Sequence, residues 1–290
     1  MNITLLTNRD LASHVALSQL IHILSDHRLT IFLSEKVGGN QQLPQPLIDL
    51  ATVERAQLAD GRPTFEMLAQ QAGCTLQGFT DLGNNVNSPA GIARIQASQP
   101  DLIISVRFGL IIRQDVIAIP KHGVINLHSG VLPDYRGVMA TFRAMLNQEP
   151  EIGSTLHYIQ DSGIDTGDII SIASIPLARD KSYLANVLSL YTGGCQQIQH
   201  AVAAISAGQP LPADKSYLAN VLSLYTGGCQ QIQHAVAAIS AGQPLPAQPQ
   251  QGPAGYYSFP TSSDLAQFAS LGHRLYDLAD GSAQPLPITS

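Results

Sequence analysis

Short apolar runs alternate with helical spacing through the first half of the chain. Ile3-Thr4-Leu5-Leu6 and Leu29-Thr30-Ile31-Phe32-Leu33 read as strands. Leu102-Ile103-Ile104-Ser105-Val106 has no polar alternation, as a parallel strand covered on both faces requires. Val124 to His128 is the next strand, and a short helical crossover near Asp115 to Ile119 precedes it. Leu17, Leu20, Ile21 and Leu24 share one stripe of a helix that begins at Leu11. A second helix is predicted over Thr64 to Ala72. A third opens at Ser88-Pro89, with Ser as N-cap and Pro at the first helical position, and ends before Pro100. Thr155–Ile159 and Ile169–Ile172 read as strands joined by a polar turn. This repeated strand–helix order predicts an α/β fold with a mostly parallel sheet.

The second half carries one long amphipathic stretch. Leu184, Val187, Leu188, Tyr191, Cys195, Ile198, Val202 and Ile205 form a stripe, and Gly208 and Pro210 end the helix. The 34 residues of 180–213 recur letter for letter at 214–247. Two identical copies fall short of the three or more diverged units of a solenoid, so a recent or engineered tandem duplication is the expectation. Two identical helices then compete for one groove. One is expected to dock, and the other to pack beside it or against a partner chain, giving a domain-swapped homodimer. The expected organisation is an α/β domain at 1–179, the duplicated helical segment at 180–247 and a C-terminal extension at 248–290.

Composition narrows the function. Apolar residues make up 44% of the 290 residues, enough for a sizeable core. Charged residues are only 12%, the net charge is −6, and the four lysines are Lys36, Lys121, Lys181 and Lys215. Nucleic-acid binding needs clustered cations, so no nucleic-acid partner is expected. No apolar run reaches membrane-spanning length, and MNITLLTNRD carries no basic leader region, so a cytoplasmic protein is expected. Cys74, Cys195 and Cys229 form no CxxC pair, which argues against zinc. The first strand is followed by TNRDLASH and not by GxGxxG, which argues against a dinucleotide oxidoreductase.

Two stretches carry candidate chemistry. In INLHSGVLP, Asn126 and His128 lie two apart on a strand and so project to the same face. They also stand at the carboxyl end of that strand, where open parallel sheets bind ligands. A hydrogen-bonded core His beside an Asn would show the same pattern. In DSGIDTGD, Gly163 and Gly167 bracket Asp165, as in a loop whose backbone closely approaches another group. A plain polar turn would read the same way.

The ordered set NLHSGVLPDYRG and then DSGIDTGDII resembles the formyltransferases that use 10-formyltetrahydrofolate and act on methionyl-tRNA, glycinamide ribonucleotide or amino sugars. The likeness is strong over about residues 101–178 and weaker through the helix and YYSFPT. It implies a Rossmann-like formyltransferase fold, 10-formyltetrahydrofolate as co-substrate and a catalytic trio of Asn126, His128 and Asp165. Asn126 and protonated His128 would donate to the oxyanion of a tetrahedral intermediate. His128 would also shuttle protons, and Asp165 would orient it. No metal or covalent intermediate is required.

Phe108, Gly109, Leu110, Ile111 and Ile112 match the family segment that lines the pteridine pocket. Arg136 either meets the acceptor or caps the next helix. Tyr256, Tyr257 and Phe259 either line the acceptor side or pack the duplicated helix. His157 reads as core and Asp168 as structural, while His200 and His234 are one residue in two copies. Gly130 stands where family members often carry Ser, so a looser turn and a missing hydroxyl contact are expected.

The expected activity is formyl transfer to the primary amine of a small acceptor, such as a nucleotide-linked amino sugar. Methionyl-tRNA is disfavoured by the acidic chain and by the lack of a large basic C-terminal barrel. The alternatives are a 10-formyltetrahydrofolate hydrolase and a folate- or nucleotide-binding protein inactivated by the duplication.

Overall fold

Seven strands lie side by side in the order β3-β2-β1-β4-β5-β7-β8. They are β1 (Asn2–Asn8), β2 (Arg28–Ser34), β3 (Thr75–Gly78), β4 (Leu102–Val106), β5 (Val124–His128), β7 (Glu151–Ile159) and β8 (Ile169–Pro176). The first five are mutually parallel, and β7 and β8 add antiparallel at one edge. The computed structural model describes residues 1–35, 42–209, 211 and 249–280. The predicted mostly parallel α/β sheet is the one observed.

Alternate residues of each strand feed two hydrophobic layers. Leu5, Ile31, Ile104 and Ile125 face one layer, and Leu6, Phe32, Ile103 and Val124 face the other. Burial on both faces explains why these strands show no polar alternation. The helices are α1 (Leu11–Ile23), α2 (Gln45–Ala59), α3 (Phe65–Gln71), α4 (Pro89–Ala97), α5 (Gln114–Ile117), α6 (Ala140–Leu146), α7 (Tyr183–Ser206) and α8 (Ser262–Ser270). Five of them start on a side-chain oxygen that accepts a backbone N–H. Asp10 caps α1, Thr64 caps α3, Ser88 caps α4 and Ser182 caps α7. Thr261 and Asp264 form a reciprocal capping box on α8.

Helix α7 is the first copy of the repeated segment. Its predicted stripe is buried except for Leu188, which is half-buried, and it packs in the same layer as α1 and β7. The helix presses closely on the strand that carries Asn126 and His128, since a Cβ at Gly194 would stand 2.7 Å from Leu127 Cδ2. Gln197 ties it to the β7–β8 hairpin, accepting from Ser154 Oγ at 2.9 Å and donating to Ser171 Oγ at 2.8 Å. The second copy, and with it the expected domain swap, lies outside the described residues. So do Cys229 and His234.

Elements absent from the sequence-based prediction include α2, α8 and β3. A two-stranded parallel sheet is also new. It joins β6 (Arg136–Gly137) to β9 (Tyr256–Tyr257) and brings the chain after residue 248 back to the carboxyl ends of the strands.

At those ends, the strand order reverses between β1 and β4. Arg107 follows β4 with a positive φ of 59° and grips the half-buried Asp10 carboxylate with Nε at 3.1 Å and Nη2 at 3.0 Å. Desolvation raises the Asp10 pKa, but the Arg107 charge and hydrogen bonds outweigh it and hold the carboxyl below its ordinary value.

Candidate active site

Asn126 and His128 project from the same face of β5, as the strand period requires. The antiparallel register places His157 beside Asn126 and Thr155 beside His128. His128 is 8% exposed. Its Nε2 lies 2.6 Å from the Tyr135 carbonyl oxygen, which can only accept. Its Nδ1 lies 3.4 Å from Asp165 Oδ2. Both ring nitrogens thus face oxygen acceptors, and only the imidazolium can donate to both.

Asp165 enters from the loop between β7 and β8 with a left-handed φ of 54°. Oδ2 accepts from the Gly137 backbone N–H at 2.9 Å. Oδ1 stands 3.4 Å from both Asn126 Nδ2 and His157 Nε2. Burial pushes the Asp165 carboxyl up. His128, the hydrogen bond and charge of His157 and the Gly137 N–H outweigh it, and the group is held well below the usual carboxylate range. The sequence-predicted trio therefore meets around one buried carboxylate.

His157 reads as core from the sequence, and the structure buries it on β7 beside Asn126. It is 2% exposed, yet its Nε2 lies 3.1 Å from Asn126 Nδ2 and its Nδ1 2.8 Å from the Tyr158 carbonyl. Nδ1 donates to that carbonyl, and Nε2 faces both the Asn126 amide and Asp165 Oδ1, which lies 3.4 Å away. The missing signal was strand register, because only the pairing of β5 with β7 brings residue 157 beside residue 126.

The turn at Gly130 is closed where a loose one was expected. A Cβ there would meet Ala140 Cβ at 2.5 Å, His128 Nε2 at 2.7 Å and the Tyr135 carbonyl oxygen at 2.9 Å. The space for a Ser side chain is filled by the imidazole and its carbonyl partner. Thr155 Oγ1 donates to the Gly130 carbonyl at 2.7 Å, and Ser129 Oγ meets Tyr191 Oη at 3.1 Å. Tyr135 is itself anchored, donating its hydroxyl to Glu149 at 2.6 Å and stacking on Tyr257.

The other predicted residues are distributed around this centre. Phe108 and Leu110 are half-buried at the edge of the second hydrophobic layer, Ile112 is buried in it, and Ile111 is exposed. The Gly109 N–H donates to Ser34 Oγ at 3.0 Å. Arg136 does not cap α6, whose N-cap is Met139 with no side-chain bond; it reaches Gln250 instead. Tyr257 stacks on Tyr135 beneath the Arg143 guanidinium, Tyr256 is exposed, and Phe259 packs on the first layer. Asp168 accepts from Gln160 within its own loop, and His200 is on the exposed face of α7.

The sequence pattern of the family described as Formyl transferase matches residues 22–186. The chain belongs to this family. Methionyl-tRNA formyltransferase of Geobacter sulfurreducens is 36% identical over 124 residues, covering 43% of this chain and 39% of the relative. Methionyl-tRNA formyltransferase of Roseiflexus sp. is 31% identical over 148 residues, covering 51% of this chain and 45% of the relative. This chain thus matches less than half the length of these curated relatives. The crystal structure of phosphoribosylglycinamide formyltransferase from Anaplasma phagocytophilum shares the fold, with a TM-score of 0.54 and 17% identity over 73% of this chain and 89% of that one. Among the described residues, no group of three or more His, Cys, Asp or Glu could hold a metal ion, and no helix is long and apolar enough to cross a membrane.

Proposed function

We propose that this member of the formyltransferase family moves a formyl group from 10-formyltetrahydrofolate to the primary amine of a small acceptor. The observation that carries the reading is the convergence of Asn126, His128 and Asp165, from two separate segments, on one buried carboxylate. The acceptor nitrogen adds to the formyl carbon and the carbonyl becomes an oxyanion. The Asn126 amide and the His128 imidazolium, both anchored on Asp165, present a positive electrostatic edge suited to that charge. The acceptor then loses a proton, N10 gains one, and the C–N10 bond breaks to leave tetrahydrofolate and a formamide. His128 is the proposed proton carrier for this exchange, with its Nδ1 held toward Asp165. Asp165 keeps its negative charge and stabilises the imidazolium.

The segment from Phe108 to Ile112, with its mix of half-buried and exposed apolar residues, is the proposed border of the pteridine site. Arg136 is the proposed acceptor-side cation. The acidic, lysine-poor composition supports a small amine, including amines on nucleotide-linked sugars. The test is incubation with 10-formyltetrahydrofolate and a panel of small amines and methionyl-tRNA, following tetrahydrofolate. Release that depends on a small amine supports the proposal. Amine-independent formate release marks a hydrolase, and binding without turnover marks a folate-binding protein.

A further inference from the structure

Gln250 lies 85 residues from Asp165 and 114 from Arg136 in sequence, yet its side-chain amide joins them. Nε2 donates to the carbonyl oxygens of Asp165 at 2.9 Å and Gly167 at 2.7 Å. Oε1 accepts from Arg136 Nε at 3.0 Å and Nη2 at 2.5 Å. Both amide protons and both lone pairs of the oxygen are thus engaged.

The groups it touches need external support. Asp165 holds a left-handed backbone that costs a non-glycine residue energy and persists only where surroundings over-determine it. Gly167 is pressed so closely on β7 that a Cβ would stand 1.8 Å from the Tyr158 carbonyl oxygen. The loop's own polar bonds, from Gly163 N to Asp161 and from Gln160 to Asp168, are local and do not orient Asp165 toward β5. Side chains of β5 and β7 meet its carboxylate at 3.4 Å, and two shorter contacts from outside that sheet fix the residue: the Gly137 N–H on the carboxylate and Gln250 on the carbonyl. Gly137 follows Arg136 on β6, so Gln250 locks the strand that holds the carboxylate to the loop that carries it.

We propose that Gln250 is a positioning residue for catalysis, fixing Asp165 against His128 by bridging the 161–168 loop to Arg136. This rests on the formyl-transfer reading for its kinetic consequence alone. A neutral amide is the group the site needs. Glutamate would bind Arg136 more tightly but would turn carboxylate oxygens onto two carbonyl oxygens.

The experiment compares the full chain with Gln250→Ala and Gln250→Glu. It measures kcat, KM for 10-formyltetrahydrofolate, thermal midpoint, and the carbon-13 NMR titration of Asp165, assigned with Asp165→Asn. The titratable groups facing that carboxyl are His128 on β5 and His157 on β7, with Asp161 and Asp168 on its own loop and Arg136 reaching the loop through Gln250. Both variants are expected to lose about 10- to 100-fold in kcat, as small misplacements of reacting groups do, with KM changed less than about threefold. The Asp165 titration moves upward in both, as its contacts with His128 and the Gly137 N–H loosen.

If kcat and the titration both stay at parental values, the proposal is overturned. It is equally overturned if Gln250→Glu keeps full turnover while Gln250→Ala does not, because Gln250 would then serve Arg136 and not the loop. A kcat loss matching only the unfolded fraction also overturns it. If the parent transfers no formyl group but the titration moves in both variants, positioning stands and the formyl-transfer reading falls.

Discussion

At the scale of single residues, the His128 ring is clasped at both nitrogens. With Nε2 on the Tyr135 carbonyl and Nδ1 toward Asp165, His128 is preorganised as a donor. His128→Ala is expected to lower kcat about 10²- to 10⁴-fold, the usual cost of removing a proton-transfer group, with folate binding retained in equilibrium titration. Full turnover in that variant would remove the proposed chemistry. Gly130→Ala is expected to destabilise the chain by about 1–3 kcal/mol, as overpacking does, and to lower kcat by displacing the imidazole. Chemical denaturation and steady-state rates check both effects. That Asn126 and His128 share a face of β5 was legible in the sequence, because the strand period needs no tertiary knowledge, and their site role came from the family resemblance. His157 and Gln250 were not. The first depends on which strand pairs with β5, and the second on where an aperiodic segment returns.

Among the elements, legibility followed periodicity and capping. The start of α4 was readable from Ser88-Pro89, because the side chain that reads as its cap accepts a free N–H of the first turn. The α7 stripe was readable because seven of its eight predicted positions are buried. Helix α2 was not, since only Leu47 and Leu50 are buried along its 15 residues. Strands β6 and β9 span two residues each, too few for any period to show. Helix α7 also supports the site from behind through the Tyr191–Ser129 contact. Tyr191→Phe removes that bond and is expected to cost about 0.5–1.5 kcal/mol. Denaturation midpoints at constant m-value would measure it, and an unchanged midpoint would place Ser129 outside the helix's control.

The molecule as a whole carries an acid-sensitive term centred on Asp165. Its folded carboxyl is held below its ordinary value, so the ionised form stabilises the fold above about pH 3.9 and that stability is lost as pH falls through the lowered value. Urea unfolding is therefore expected to show stability falling below about pH 4, and Asp165→Asn should flatten that decline. An identical slope in both would detach the carboxylate from folding. The parallel core of the sheet was predictable from unbroken apolar runs, whereas the return of the chain after residue 248 was not.

The Asp10–Arg107 pair at the reversal of strand order has a consequence for ligand charge. A doubly wound sheet commonly offers a phosphate the bare amino end of its first helix. Here a protein carboxylate already sits on that end, and a guanidinium neutralises it from the neighbouring strand. A phosphorylated ligand finds no vacant dipole there, so inorganic phosphate and chloride at equal ionic strength should inhibit turnover alike.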